Sequence, residues 1–184
     1  MRIQFGKEKD SAAFRLEPLA PTIPLSDFTC SIEEYNEYLH HGALRSQNDH
    51  IARTWLLRER DTGAIAAYMS LIADAIKLSV TEKELHALNY PFRTILAIKI
   101  AKLAVAKSFS EKYKGIGSFM ITAAMRKAIG CYDDYCACRF LTVDADIEHD
   151  PNVTAFYTKN GFIPNVEMNN KRGKTISMRK DILV

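Results

Sequence analysis

Long apolar runs are missing from this chain. Apolar residues make up 47% of its 184 positions and charged residues 26%, too interleaved for any segment to span a membrane. The start, Met1-Arg2-Ile3-Gln4-Phe5-Gly6-Lys7, lacks the apolar core and cleavage site of a signal peptide. A cytoplasmic protein is expected. Cysteine is scarce, at four residues, and in that compartment these are expected as reduced thiols. Cys131, Cys136 and Cys138 cluster, but they lack the paired short spacers of a structural zinc site, so no metal is expected.

Repeats and low-complexity linkers are also absent, and the length suits one domain spanning residues 1–184. The net charge of +3 is small, yet its distribution is uneven. Residues 99–127 carry Lys99, Lys102, Lys107, Lys112, Lys114, Arg126 and Lys127 against Glu111 alone, whereas residues 131–150 carry Asp133, Asp134, Asp144, Asp146, Glu148 and Asp150 against Arg139. Two readings stay open: two solvated faces, or an anion-favouring stretch followed by a cation-favouring one.

What is present is a series of short, well-punctuated elements. Alternation in Phe14–Leu19 predicts an opening strand that Pro18 confines to an edge or an end. Ser31 with Glu34 reads as a capping box for a helix running toward Leu44. Arg53–Arg60 and Ala64–Ile72 flank Asp61-Thr62-Gly63 and read as a hairpin. Thr81 with Glu84 predicts a short helix that Pro91 helps to end. Ile95–Val105 reads as a central strand, Gly115–Ile129 as a helix with Gly130 as its C-cap, and Phe140–Val143 as a strand. Asp150 and Pro151 then begin a helix that Gly161 stops, the stretch Asn169–Lys174 is a turn, and Thr175–Met178 is the last strand. Such an order predicts a mixed α/β sheet.

Between the central strand and the next helix lies Lys112-Tyr113-Lys114-Gly115-Ile116-Gly117-Ser118. The first-turn amides of a helix starting at Gly115 are unpaired donors that attract phosphate oxygens, and Gly115 and Gly117 let an anion approach the backbone. Two phosphate motifs are excluded on detail. A Walker A loop ends in Gly-Lys-Ser/Thr, whereas Lys114 precedes the glycines, and a dinucleotide fingerprint needs a third glycine where Met120 stands.

Together with Phe156-Tyr157-Thr158-Lys159-Asn160-Gly161-Phe162, this turn resembles the acetyl-CoA-dependent N-acetyltransferases of the GNAT superfamily, over residues of about 95–164. In that family a Q/R-x-x-G-x-G/A loop binds the CoA pyrophosphate. Lys112 stands here where Gln or Arg is usual, which keeps the charge and loses the planar fork. The resemblance implies a central, mostly antiparallel sheet flanked by helices. It also implies donor-binding roles for Leu103, Ala104, Val105, Lys112, Lys114, Gly115, Ile116, Gly117, Ser118 and Asn152, with the backbone of Leu103–Val105 serving the oxyanion. The family's tyrosine four residues before Gly-Phe corresponds to Tyr157. The family's frequent Asn and Ala, seven and four residues before that tyrosine, are here Asp150 and Val153. Upstream, Phe28-Thr29-Cys30, Tyr35–Leu39, Ala43-Leu44, Gln47 and Arg53-Thr54 resemble the toxin acetyltransferases of bacterial toxin-antitoxin modules. For those the resemblance implies aminoacyl-tRNA as acceptor and a small DNA-binding antitoxin as partner, with a homodimer left open.

Acetyl transfer needs a neutral amine, a stabilised carbonyl oxygen and a protonated leaving thiolate. Tyr157 is the general-acid candidate, and the alternative is a core aromatic packed beside Phe156 and Phe162. No Asp, Glu or His occurs in Ile95–Val105, so no general base is expected on the central strand. An α-amine with a pKa near 8 is substantially neutral at physiological pH, unlike a lysine amine near about 10.4. That favours an α-amino acceptor: aminoacyl-tRNA, a peptide N-terminus or a small amine. Asp144, Asp146 or Glu148 acts through water if a base is needed; otherwise these are solvated carboxylates. Lys171, Arg172 and Lys174 with the basic stretch could meet nucleic-acid phosphates, a role for which anionic CoA competes. His40 and His41 are expected on the surface or packed, and Trp55 in the core. A CoA-binding module without catalysis is the remaining alternative.

Overall fold

Strands in this protein form where β-branched and aliphatic residues alternate or run together, and the turns between them fall at glycine and aspartate. A computed structural model describes residues 3–5, 12–92, 94–134, 136–166 and 173–184. The elements are β1 (Ile3–Gln4), β2 (Phe14–Pro18), α1 (Glu33–Glu37), a π-helical turn (Tyr38–Gly42), α2 (Ala43–Asn48), β3 (Arg53–Glu59) and β4 (Ile65–Lys77). They continue with α3 (Val80–Leu85), β5 (Thr94–Val105), α4 (Lys107–Lys112), β6 (Tyr113–Lys114), α5 (Ile116–Asp134), β7 (Phe140–Asp146), α6 (Val153–Lys159), β8 (Ile163–Pro164) and β9 (Thr175–Asp181). Seven strands form one sheet in the order β2-β3-β4-β5-β7-β9-β8, and β1 pairs with β6. Every described register within the large sheet is antiparallel except that of β5 with β7. The mixed, mostly antiparallel α/β sheet expected from the sequence is therefore present. Among the described residues, no helix is long and apolar enough to cross a membrane.

The chain divides into two compact units, residues 1–72 with 101–123 and residues 73–100 with 124–184. In the first, Leu39, Leu56, Leu57, Ala66, Tyr68 and Met69 are buried, and Phe28 meets Tyr68 edge-on at 5.3 Å. Tyr68 spends its hydroxyl on the Tyr35 carbonyl at 2.8 Å, which satisfies the polar end of a fully buried ring. A second cluster joins Phe5, Phe14, Phe109, Tyr113 and Phe119, mostly edge-to-face with centroids 5.1–6.1 Å apart. The hairpin β3–β4 turns at Gly63, whose φ of +74° suits a residue without Cβ.

In the second unit Ile76, Leu78, Ala97 and Phe140 form an apolar cluster. Beside it lies a buried polar network centred on Arg179, which is 1% exposed. One Arg179 terminal nitrogen donates to Glu82 at 2.6 Å, Asn165 Oδ1 at 2.9 Å and the Pro164 carbonyl at 3.1 Å. Its Nε donates to His86 Nε2 at 3.2 Å. Arginine has no lone pair to offer, so His86 Nε2 must accept and its proton must sit on Nδ1. Nδ1 then donates to Asp181 at 2.9 Å, and Arg139 donates to the same carboxylate at 2.8 Å. Burial alone would raise both acids, yet hydrogen bonds and guanidinium charge hold Glu82 and Asp181 below ordinary carboxylate values.

Four helix boundaries differ from expectation. Ser31 does not cap α1; buried Asn36 ties the helix start instead, accepting from the Cys30 amide at 2.8 Å. The capping box of α3 is Ser79 with Glu82 rather than Thr81 with Glu84, because Glu82 is the acid that Arg179 and the Val166 amide engage. Helix α5 passes through Gly130 to Asp134, since Gly130 does not take the left-handed conformation that ends helices. Helix α6 begins at Val153; Asp150 and Pro151 lie in the preceding turn, where Asp150 Oδ1 accepts from the Asn152 amide at 2.9 Å. Trp55 is half-buried rather than fully in the core. His40 is half-buried against the Phe28 carbonyl, at 3.0 Å, and His41 is exposed. The Asn169–Arg172 part of the expected turn, with Lys171 and Arg172, lies outside the described residues, as do Met1, Arg2, Gly6 and Lys7.

Candidate active site

The first unit carries the glycine turn. Where β5 ends, the Ala106 amide donates to Ala66 at 2.9 Å and the Lys107 amide to Thr29 at 2.8 Å, so the strand end is pinned. Ala104 is buried, and Leu103 and Val105 are half-buried. Two elements unseen in the sequence, α4 and β6, separate this strand from the turn. Strand β6 runs parallel to β1, with Tyr113 opposite Ile3 and Lys114 opposite Gln4, and the Phe5 amide closes on the Lys114 carbonyl.

The chain then passes Gly115 at φ +97°, a conformation that side-chain-bearing residues adopt only at a cost. Helix α5 follows for 19 residues. Phe119 donates its first helical bond to the Gly115 carbonyl at 2.9 Å, so the amides of Ile116, Gly117 and Ser118 are the first-turn donors. Ile116 is 2% exposed and anchors the turn from inside. Lys112 and Lys114 are exposed, with Lys112 Nζ 5.1 Å from the Tyr113 ring centroid. A positive helix end, the Cβ-free backbone of Gly115 and two exposed cations thus stand together at this turn.

The second unit carries Tyr157. Its ring is 7% exposed and meets Phe156 at 5.1 Å and Phe162 at 5.4 Å, both edge-on. The helix ends at Gly161, φ +86°, where Lys180 donates to the Asn160 carbonyl at 2.8 Å. Tyr157 is thus a packed aromatic as well as a candidate acid, and its ring position is set by neighbours rather than by solvent. Asn152 sits at the N-cap of α6 but its side chain caps nothing, and it is exposed.

Each carboxylate proposed as a base has a partner. Lys99 donates to Asp144 at 3.0 Å and lies 3.6 Å from Asp74, while Thr142 donates to Asp74 at 2.6 Å. Burial would lower the Lys99 pKa, but Asp144 and Asp74 together hold it above the ordinary value. Lys99 is therefore an internal counter-ion, not a free cation of the basic stretch. Asp74 is absent from the sequence reading because nothing near it in the chain marks it. Asp146 holds His149 at 2.8 Å and Glu148 holds Lys174 at 2.7 Å. The β5 ladder with β7 pairs Ala97–Ile100 with Phe140–Val143, and the strand itself continues to Val105.

No family profile matches the chain, and no curated protein is similar to it in sequence. Solved structures are similar in fold. AtaT complexed with acetyl-methionyl-tRNAfMet gives a TM-score of 0.75 at 20% identity, covering 89% of this chain and 93% of that one. AtaTR bound with acetyl-CoA gives 0.70 at 19% identity, covering 91% and 94%. A mutant of the toxin AtaT bound to the C-terminus of the antitoxin AtaR gives 0.70 at 18%, covering 91% and 93%. The chain shares the fold of these structures, and that fold is the mixed sheet flanked by helices that the sequence resemblance implied.

Proposed function

We propose that this chain is an acetyl-CoA-dependent N-acetyltransferase whose acceptor is a primary α-amine, first that of an aminoacyl-tRNA. The observation that carries the proposal is Gly115 at φ +97° opening a 19-residue helix whose first-turn amides precede the Phe119–Gly115 bond. Those amides, with Lys112 and Lys114, would hold the CoA pyrophosphate. Bound there, acetyl-CoA supplies an acetyl group activated as a thioester. Backbone amides of Leu103–Val105 would bind the carbonyl oxygen as it gains charge. Tyr157 would give a proton or hydrogen bond to the departing thiolate. Asn152 would meet the donor through its exposed side chain, because its amide and carbonyl already bond to Asp150 and Ala155. Strand β5 has no Asp, Glu or His, which supports an amine that is already largely neutral.

Lys107, Lys112, Lys114 and Arg126 are exposed, which supports contact with an anionic acceptor such as tRNA. The fold similarity to an antitoxin-bound toxin supports a protein antitoxin as partner.

The test combines binding and turnover. Acetyl-CoA should raise the melting temperature, and Gly115→Ala should weaken that effect. Tyr157→Phe keeps the ring contacts and removes only the hydroxyl, so it should lower turnover by about 10²–10⁴-fold with donor affinity retained. Labelled acetyl should reach aminoacyl-tRNA in preference to lysine side chains. No thermal shift would reject the donor site, equal turnover would remove Tyr157, and thiol release without any amine acceptor would favour a binding module.

A further inference from the structure

At the far end of α5 the Cys136 amide donates to the Cys131 carbonyl at 2.9 Å, a bond from residue i+5 back to residue i just past the last helical residue, Asp134. A bond of this span closes a helix end, and the two residues that share it commonly also touch through their side chains. In most proteins an apolar pair makes that touch. Here both members are cysteines, with sulfurs 3.7 Å apart. Cys136 is exposed and Cys131 half-buried, so the pair is open to a solute.

We propose that Cys131 and Cys136 are a redox-active dithiol that closes to an intramolecular disulfide across the cap of α5. The amide bond holds the two residues side by side, and from 3.7 Å the sulfurs need to approach by roughly 1.6 Å to reach bonding distance of about 2.05 Å. The hydrogen bond and charge of Cys131 hold the Cys136 pKa above its ordinary value, which couples the two thiols. The third thiol, Cys138, is held out of the pair. It points at the Ala128 carbonyl at 3.5 Å, and burial pushes its pKa up to about 11, which suppresses the thiolate.

The oxidant is a low-molecular-weight disulfide. One cysteine thiolate attacks it, forming a mixed disulfide and releasing one thiolate. The second cysteine loses its proton and attacks the protein sulfur of that mixed disulfide, forming the Cys131–Cys136 bond and expelling the second thiolate. Two electrons pass to the oxidant, and the two released thiolates take up the two protons.

The test uses the full chain in oxidised glutathione, with thiol titration, intact mass and peptide mapping. The wild type and Cys138→Ser should each lose two titratable thiols and the mass of two hydrogens, without a retained glutathione. Cys131→Ser and Cys136→Ser should retain a glutathione adduct that dithiothreitol removes. The oxidised wild type should melt higher than the reduced form. A stable glutathione adduct on the wild type, or a map that places Cys138 in the bond, would overturn the proposal. Serine is close to cysteine in size, and a far-ultraviolet circular dichroism spectrum unchanged in all variants separates loss of chemistry from loss of fold.

Discussion

The two compact units are stabilised by different physics. Around the approach to the glycine turn, Phe5, Phe14, Phe109, Tyr113 and Phe119 pack ring against ring, mostly edge to face, with the Lys112 ammonium 5.1 Å from the Tyr113 ring centroid. In the other unit, Glu82, His86, Arg139, Arg179 and Asp181 form a chain of charged and polar groups that is mostly buried. An aromatic cluster can repack when one member changes. A buried ionic chain is satisfied as a whole or strained as a whole, because each group removed leaves a neighbour desolvated without its partner.

Removing the centre of the ionic chain gives the largest expected effect. Arg179→Ala leaves Glu82 buried without its counter-ion and should cost about 3–5 kcal/mol in urea denaturation. A loss below about 1 kcal/mol would mean that water replaces the guanidinium and that the contrast between the units is false. In the aromatic cluster, Phe14→Leu should cost about 1.5 kcal/mol or less, with the same value at pH 7 and pH 4. A marked pH dependence of that loss would tie the cluster to the ionic chain.

The mildest perturbation changes no residue. Glu82 and Asp181 are held below their unfolded values, so their stabilisation is complete above about pH 5 and is lost as pH falls through the lower folded values. Hydrogen exchange followed during acidification should therefore show β9 losing protection before β3. Simultaneous loss at both strands would mean that acid unfolding is global from the start.

Much of this arrangement was legible where the signal is local. The Asp61-Thr62-Gly63 hairpin, strand β5, the glycine turn into α5 and the stop at Gly161 all rest on residues whose conformational preferences act within a few positions. What stayed hidden depends on distant partners. Ser79 and Glu82 won over Thr81 and Glu84 because Glu82 meets Arg179, which is 97 positions away. Lys99 looked like a free cation until Asp74 and Asp144 were placed beside it. Tyr157 was visible as a motif, but the aromatic packing that sets its ring is a property of the folded unit. Gly130 misled because a glycine permits a helix end without requiring one.

The small pairing of β1 with β6 has a kinetic meaning. It joins residues more than a hundred positions apart, so closing it costs chain entropy that local elements do not face. Synthesis delivers Ile3 first and Tyr113 much later, and the segment must wait while the hairpin and α1–α2 region assemble. The bonds that close the approach to the glycine turn thus carry a larger closure entropy than those of the β3–β4 hairpin. If the pairing forms after the folding transition state, weakening it should speed unfolding while leaving the folding rate nearly unchanged.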